Sequence, residues 1–359
     1  DITFATERDA SLVDFIDSTT GKVLSRHKAG FAVHVTVTNK KNPRYAYSIS
    51  RSGRLTMFDI AAPGQPAIAS VQVGFESRGL AVSPDGKYVI AGNYTPGGAV
   101  LCDAMTLEPL KAYDTSAVIN TEGQIEASRV ASLADTPYGP YFAMALKDAG
   151  RVYLIDYSKP GFPIVGDIPN IGKILHDAFL NEDEGKDFGR YFMIASQGSD
   201  VMGIVDFKEK NLAAKVYTGE KSKPHPGQGS SWFNKKMGKQ LHATVSMNIG
   251  SVVIWDSNWE IVKKIDDPAY QVGVIPANTY EGQTSDVKTV SVQNFLVTHS
   301  GVSEQTVYTM TKTMFENLDQ MVAAHAAAKE IKKENAISSL PAPLHPGAEK
   351  YYREIGVLK

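Results

Sequence analysis

Short apolar runs closed by an aspartate recur through the first 265 residues: Leu12–Asp17, Leu55–Asp59, Ala99–Asp103, Val152–Asp156, Val201–Asp206 and Ser251–Asp256. Their aspartates stand 42, 44, 53, 50 and 50 residues apart. A period of roughly 40–50 residues is that of one four-stranded propeller blade. Aspartate suits the end of such a strand, because its carboxylate can accept from backbone N–H groups two residues on and so close a tight turn. Between these runs lies a second repeated element, a turn leading into an apolar strand: Pro43–Tyr47, Pro84–Tyr88, Gly139–Phe142, Gly189–Phe192 and Gly238–Leu241. Apolar stretches such as Ala32–Val37 and Gly79–Ser83 precede it and predict the innermost strands. Each blade reads inner strand, turn, second strand, loop, third strand, aspartate turn, fourth strand. The pattern predicts an all-β propeller of five full blades plus an opening half blade at Leu12–His27. Modest loops near Ser116–Ala127 and Asn181–Asp187 interrupt it, and no helix does.

After Ile265 the repeat stops, and a C-terminal α/β appendage is expected over residues 266–359. Ser303 is a plausible N-cap. Val307, Met310, Met314, Leu318 and Met321 follow at spacings of three and four, a stripe that predicts a helix with one face in a core. Pro346 suits the first turn of a last short helix carrying Tyr351 and Tyr352. Two candidate strands, Val287–Val292 and Phe295–Thr298, leave two arrangements open. They complete the opening half blade and close the ring, or they belong to a separate lobe, which the pattern favours. An open ring would leave unpaired strand edges.

Composition narrows the classes. Of 359 residues, 43% are hydrophobic and 21% charged, as in an ordinary globular chain. The net charge of −2 provides no basic field for nucleic acid or acidic membranes. No apolar run approaches the length of a membrane span. Cys102 is the only cysteine, which excludes an intrachain disulfide, a Cys-x-x-Cys redox pair and the Cys-x-x-Cys-His attachment of a c-type heme. Its place in the strand Ala99–Asp103 predicts a buried, structural thiol.

Blade geometry places the start of each inner strand and the loop after each second strand on one face, around the channel. The first set of positions holds His34, Arg78, Arg129 and His176, with Pro224-His225-Pro226-Gly227 leading into the fifth blade. The second holds Arg51, Tyr94, Lys147, Gln197 and Met247. A solvated polar rim accounts for any one of these. Convergent cations on one rim argue instead for an anionic ligand. Arginine forks onto carboxylates, and imidazole can hold a metal. A flat iron tetrapyrrole carrying several carboxylates satisfies both sets.

At these residues the chain resembles a known family. Gly30-Phe31-Ala32-Val33-His34-Val35 resembles the strand bearing the proximal iron ligand in the heme d1 propeller of cytochrome cd1 nitrite reductases. Ser50-Arg51-Ser52-Gly53, Glu76-Ser77-Arg78-Gly79, Gly92-Asn93-Tyr94 and Ser128-Arg129-Val130-Ala131 are similar to its substituent-binding segments. So are Leu146-Lys147-Asp148-Ala149-Gly150, Leu175-His176-Asp177 and Pro224-His225-Pro226-Gly227-Gln228-Gly229. The likeness covers roughly residues 1–264 and extends to the heme d1 maturation proteins. It implies heme d1 or a related iron tetrapyrrole as cofactor, His34 as axial ligand, and a binding set completed by Arg51, Arg78, Tyr94, Arg129, Lys147, His176, His225, Trp232 and Asn234. It also implies eight blades, more than this chain supplies. Asn234 stands where the reductases carry a distal histidine, a second distal histidine is not found, and no cytochrome c domain accompanies the propeller. A binding or maturation protein, with redox activity on the macrocycle left open, is therefore expected ahead of a complete nitrite reductase.

The tail has its own likeness. Ile275-Pro276-Ala277-Asn278-Thr279-Tyr280-Glu281-Gly282-Gln283, Val287-Lys288-Thr289-Val290, Phe315-Glu316-Asn317-Leu318 and the run from Leu340 to Glu349 resemble the C-terminal part of TAXI-type TRAP transporter solute receptors. No binding residue carries over, because the receptor's first lobe is not represented. A natural fusion, a chimera and a mis-joined sequence all fit two partial folds meeting at Ile265. Both families imply the periplasm. The expected partners are the tetrapyrrole and a periplasmic electron donor or heme d1 maturation protein. The competing functions are ligand capture for a TRAP transporter and a propeller scaffold without cofactor.

Overall fold

The structure is a computed structural model describing residues 2–62, 68–182, 187–219, 226–248, 250–266, 270–279, 282–292, 295–325, 328–329, 331–337, 340 and 342–358. It divides into two compact units, Asp1–Ile265 and Asp266–Lys359.

The first unit is a succession of antiparallel sheets, each made from consecutive strands. The first has three strands, Ile2–Glu7, Leu12–Asp17 and Val23–Lys28. Five four-stranded sheets follow, beginning with the inner strands Val33–Thr38, Glu76–Val82, Val130–Asp135, Leu175–Leu180 and Pro226–Asn234. Each inner strand lies against the inner strand of the next sheet, the radial arrangement of a propeller. The expected half blade is thus larger than the repeat indicated. Ile2–Glu7 pairs along its whole length with Leu12–Asp17, a strand that the aspartate-centred pattern could not register. Among the described residues, no strand pairing joins the sixth sheet to the first. The loop near Ser116–Ala127 contains a small hairpin, Val118–Ile119 with Ile125–Glu126.

Stacking explains why the middle strands read as nearly continuous apolar runs. In Tyr141–Leu146, alternate side chains leave opposite faces of the sheet. Phe142, Met144 and Leu146 join Ile90 and Leu101 of the sheet before, while Ala143 and Ala145 join Phe192 and Ile194 of the sheet after. Both faces are therefore core. The outermost strands cover one face only and alternate, as in Asn211–Tyr217. Close stacking also needs small residues: a Cβ on Gly92 would stand 2.7 Å from Val130 Cγ1 of the next sheet.

The six aspartates act as expected. Asp17 accepts from the N–H of Thr19, Asp59 from Ala61, Asp103 from Met105, Asp156 from Ser158, Asp206 from Lys208 and Asp256 from Asn258, at 2.8–3.0 Å. Cys102 is buried, and burial, with the Asp103 charge beside it, pushes its thiol up to about 12.

The second unit holds a two-stranded sheet, Tyr270–Ile275 with Val287–Val292, and three helices, α1 (Glu304–Glu316), α2 (Leu318–Ala324) and α3 (Pro346–Glu354). Val287–Val292 therefore finds its partner inside its own unit, and Phe295–Thr298 forms no strand. Neither completes the first sheet as ring closure required. Ser303 caps α1 by accepting from Thr306 N–H. The helical stripe is only partly right. Val307 is buried and Met314 packs into the core with Phe315, Tyr351 and Tyr352, but Met310 is 54% exposed. The buried face runs Val307, Thr311, Phe315, and the helix breaks at Asn317, so the stripe cannot continue through Met321. Pro346 opens α3, and His345, preceding it, accepts from Gly347 N–H.

Candidate functional site

The inner strands share one irregularity. Each of the five in the four-stranded sheets carries an extra residue near its start, a β-bulge. Val33 and Val35 face Ser50 and Ile49, which leaves His34 outside the ladder. Arg78 is left out between Ser77 and Gly79, and Ala131 between Val130 and Ser132. His176 with Asp177, and Gly227 with Gln228, occupy the same place in the last two. A bulge re-aims a side chain that the pleat would otherwise bury between sheets. Ala32 and Ile174, two residues before His34 and His176, have φ of 50° and 56°, a left-handed backbone that is costly for these residue types. The loops after the second strands are pinned to the same level. Arg51 N–H donates to Ala32, Lys147 to Arg129 and Gln197 to Ile174. That last comparison shifts one expectation. Arg129 stands level with Ala32 and Ile174, so it reaches in from ahead of its strand, and Ala131 takes the bulge.

These residues form a cationic cluster. His34 is half-buried, and burial, reinforced by the positive charges of Arg78, Arg51 and Arg8 and by His176, lowers its imidazole to about 4. It is therefore neutral, the form that ligates metal. Lys147 is 8% exposed, and burial together with Arg129 and Arg78 lowers it to about 8. Arg51 pairs with Glu76 at 3.0 Å, and Arg129 donates from Nε to Asp148 at 3.0 Å. His176 Nδ1 meets Asp177 Oδ1 at 2.8 Å. Burial raises both Asp148 and Asp177, but Arg129 and His176 respectively outweigh it and hold the carboxyls below their ordinary range. Among the described residues, Arg78 and Lys147 ion-pair with no carboxylate. Glu76, Asp148, Asp177 and Arg8 went unnoticed in the sequence; the first three sit inside the matched segments, but nothing in spacing says that they pair with the cations.

Trp232 and Asn234 are not brought to this cluster. Their strand runs beside Leu175–Leu180, with Gln228 Nε2 donating to Ala178 O and Ser231 Oγ accepting from Glu182 N–H. Asn234 lies beyond Ser231, about 20 Å along the sheet from the level of His176 at the usual rise per residue. Its Oδ1 accepts from Met237 N–H in the hairpin turn at that far end. His225 lies outside the described residues. A cavity of about 620 Å³ lined by Lys41, Asp85, Lys87 and Tyr157 opens near the same far ends of the strands and contains no candidate residue.

Residues 1–275 match the family model for the cytochrome D1 heme domain, and residues 238–356 match the NMT1-like family. The chain is 29% identical to a nitrite reductase of Stutzerimonas stutzeri over 73% of this chain and 48% of that one. It is 33% identical to protein NirF of Pseudomonas aeruginosa over 60% of this chain and 52% of NirF. The solved structure of dihydro-heme d1 dehydrogenase NirN in complex with DHE superposes with a TM-score of 0.61 at 25% identity, covering 74% of this chain and 54% of that one. The chain thus spans about half the length of the relatives it matches. No helix among the described residues is long and apolar enough to cross a membrane.

Proposed function

Because the chain belongs to the cytochrome D1 heme domain family, we propose that its first unit binds heme d1 or a closely related iron tetrapyrrole at the His34 cluster, as a periplasmic protein of the maturation type. The observation that carries this reading is the ring of bulges. It presents a neutral imidazole and Arg78, with Lys147 pinned at the same level by its N–H bond to Arg129 O, and among the described residues neither cation ion-pairs with a carboxylate. That donor set fits the group. An imidazole that is to hold the iron would have to be unprotonated, and the acidic substituents of the ring would be met by cations without a carboxylate of their own. Bound there, the tetrapyrrole would supply a redox-active iron and a conjugated ring. His34 would hold the iron, Arg78 and Lys147 would fix the ring's orientation by its acidic substituents, and the His176–Asp177 pair offers a proton-carrying group in the same cluster.

A maturation role is favoured over complete nitrite reduction by the matches to NirF and to dihydro-heme d1 dehydrogenase. Reconstitution with heme d1 should give a low-spin absorption spectrum that His34→Ala abolishes. An unchanged spectrum in that variant removes His34 as ligand. Reduction of nitrite by the loaded protein at an enzymic rate, with an artificial electron donor, would overturn the maturation assignment.

The match of residues 238–356 to the NMT1-like family supports a second reading, capture of a small ligand for a TRAP-type transporter. Calorimetric binding of small organic acids by the chain in the absence of any chromophore would favour it.

A further inference from the structure

Three guanidiniums from three consecutive sheets meet at one phenol. Tyr94 sits near the end of the strand Tyr88–Thr95, and it too is left out of the ladder: Glu76 pairs with Thr95 and Ser77 with Asn93. The next residue back, Asn93, is locked by Ser77 Oγ and by its own donation to Val73 O, so the bulge is held from behind. Arg51 from the second sheet lies over the Tyr94 ring at 5.2 Å from its centroid, and Arg129 from the fourth at 5.3 Å. Arg78 donates from Nη1 to Tyr94 Oη at a long 3.4 Å. Guanidiniums are attracted to an aromatic face, so the ring offsets part of the repulsion among three like charges.

The three arginines are not equivalent. Arg51 has Glu76, and Arg129 is held by Asp148 through its side chain and its own backbone N–H. Taking either guanidinium for a ligand would leave a carboxylate without its partner, a costly exchange where Asp148 is only about a quarter exposed. Among the described residues, Arg78 has the phenol oxygen alone, and Lys147, near enough to feel its charge, has no carboxylate within salt-bridge distance.

We propose that Tyr94 is the positioning residue of this site: its ring holds Arg51 and Arg129 as a neutralised frame, and Arg78 with Lys147 takes the ligand's carboxylates. The inference rests on the tetrapyrrole reading and narrows it. The ligand must carry its acidic groups along the edge that Arg78 and Lys147 share, whereas a ligand with carboxylates spread evenly around its rim gains little from the frame.

The test uses the full chain and iron protoporphyrin IX, titrated by absorbance, with melting temperature recorded for each variant. Arg78→Ala and Lys147→Met are expected to weaken binding at least tenfold. Arg51→Ala and Arg129→Ala should weaken it threefold to fivefold. Tyr94→Leu should weaken it about tenfold, and Tyr94→Phe, which keeps the ring, should recover most of that loss. Without any ligand, NMR should show the Nε–H protons of Arg51 and Arg129 shifted upfield by the ring, a shift lost in Tyr94→Leu and kept in Tyr94→Phe. Equal losses for all three arginines, or a Tyr94→Leu variant within twofold of wild type, overturn the inference while leaving the tetrapyrrole reading intact. Failure of the wild-type chain to take up the iron porphyrin overturns that reading, and with it the sharing of ligand charge. The ligand-free ring shifts then still decide the positioning role.

Discussion

His34 and Lys147 are titratable groups whose charged forms the fold disfavours for the same two reasons, burial and neighbouring cations. For His34 the result is a lone pair free for metal. For Lys147 it is a proton held loosely near neutral pH. An arriving carboxylate stabilises the ammonium and raises its pKa, so above about 8 binding must be accompanied by proton uptake. Affinity for an anionic porphyrin is therefore expected to be flat below about pH 8 and to fall above it. The decline should disappear in Lys147→Arg, whose guanidinium stays charged. A pH-independent wild-type affinity between 7 and 10 would remove Lys147 from the binding set. The same shift bears on folding. A lysine whose folded pKa is depressed binds fewer protons in the folded state, so its charged form costs stability below about pH 8, and stability rises with pH from there to the ordinary lysine value. Lys147→Met is accordingly expected to raise the melting temperature at pH 7 while it lowers affinity, the opposition common at functional sites. A fall in both would mark the residue as structural.

At the scale of elements, the repeated aspartate serves turns of unequal importance. Asp17 is half-buried, and among the described residues its carboxylate accepts only from the turn that follows it. Asp206 is 4% exposed, accepts from the N–H groups of Lys208 and Glu209, and takes two bonds from Arg190 at 3.0 and 2.6 Å. Removing it leaves a turn unsatisfied and a guanidinium without its fork. Asp206→Ala is expected to cost about 2–4 kcal/mol in urea unfolding, against a far smaller effect for Asp17→Ala. Equal costs would mean that the turn bonds alone decide. The bulges work at the same scale in the opposite sense, since each breaks a ladder and spends stability to aim a side chain. Their recurrence at His34, Arg78, Ala131, His176 and Gln228 sets one level of the structure apart from the regular ladders around it.

On the scale of the whole molecule, two compact units with separate cores make a single cooperative transition unexpected. Calorimetry should resolve two thermal transitions, and a chain cut to residues 1–265 should retain the higher-enthalpy one with little change in its midpoint. One coincident transition by calorimetry, near-UV circular dichroism and tryptophan fluorescence would show the units to be coupled. Tryptophan reports on the first unit alone, since Trp232, Trp255 and Trp259 are the only three. The two family matches overlap over residues 238–275, so the sixth sheet lies where one likeness passes into the other.

Local chemistry was enough for much of this. The aspartate turns, the strand order within each sheet, the buried Cys102, the Ser303 cap and the Pro346 helix start all depend on residues within a few positions of one another, and so each is written in a short stretch of chain. The strand Ile2–Glu7 escaped because it carries no turn signal, only a partner. The exposure of Met310 escaped because a stripe at helical spacing does not say which neighbouring face another helix will cover. The site divides along the same line. Residue types and spacing put His34, Arg51, Arg78 and Lys147 on one rim, since a repeat places equivalent positions on equivalent levels. Which of those cations pair with a carboxylate among the described residues was decided only by tertiary structure. Pairing to Glu76 or Asp148 depends on which loop of one sheet faces which strand of the next, and the bulges that aim the side chains are mismatches between two strands, invisible in either one alone.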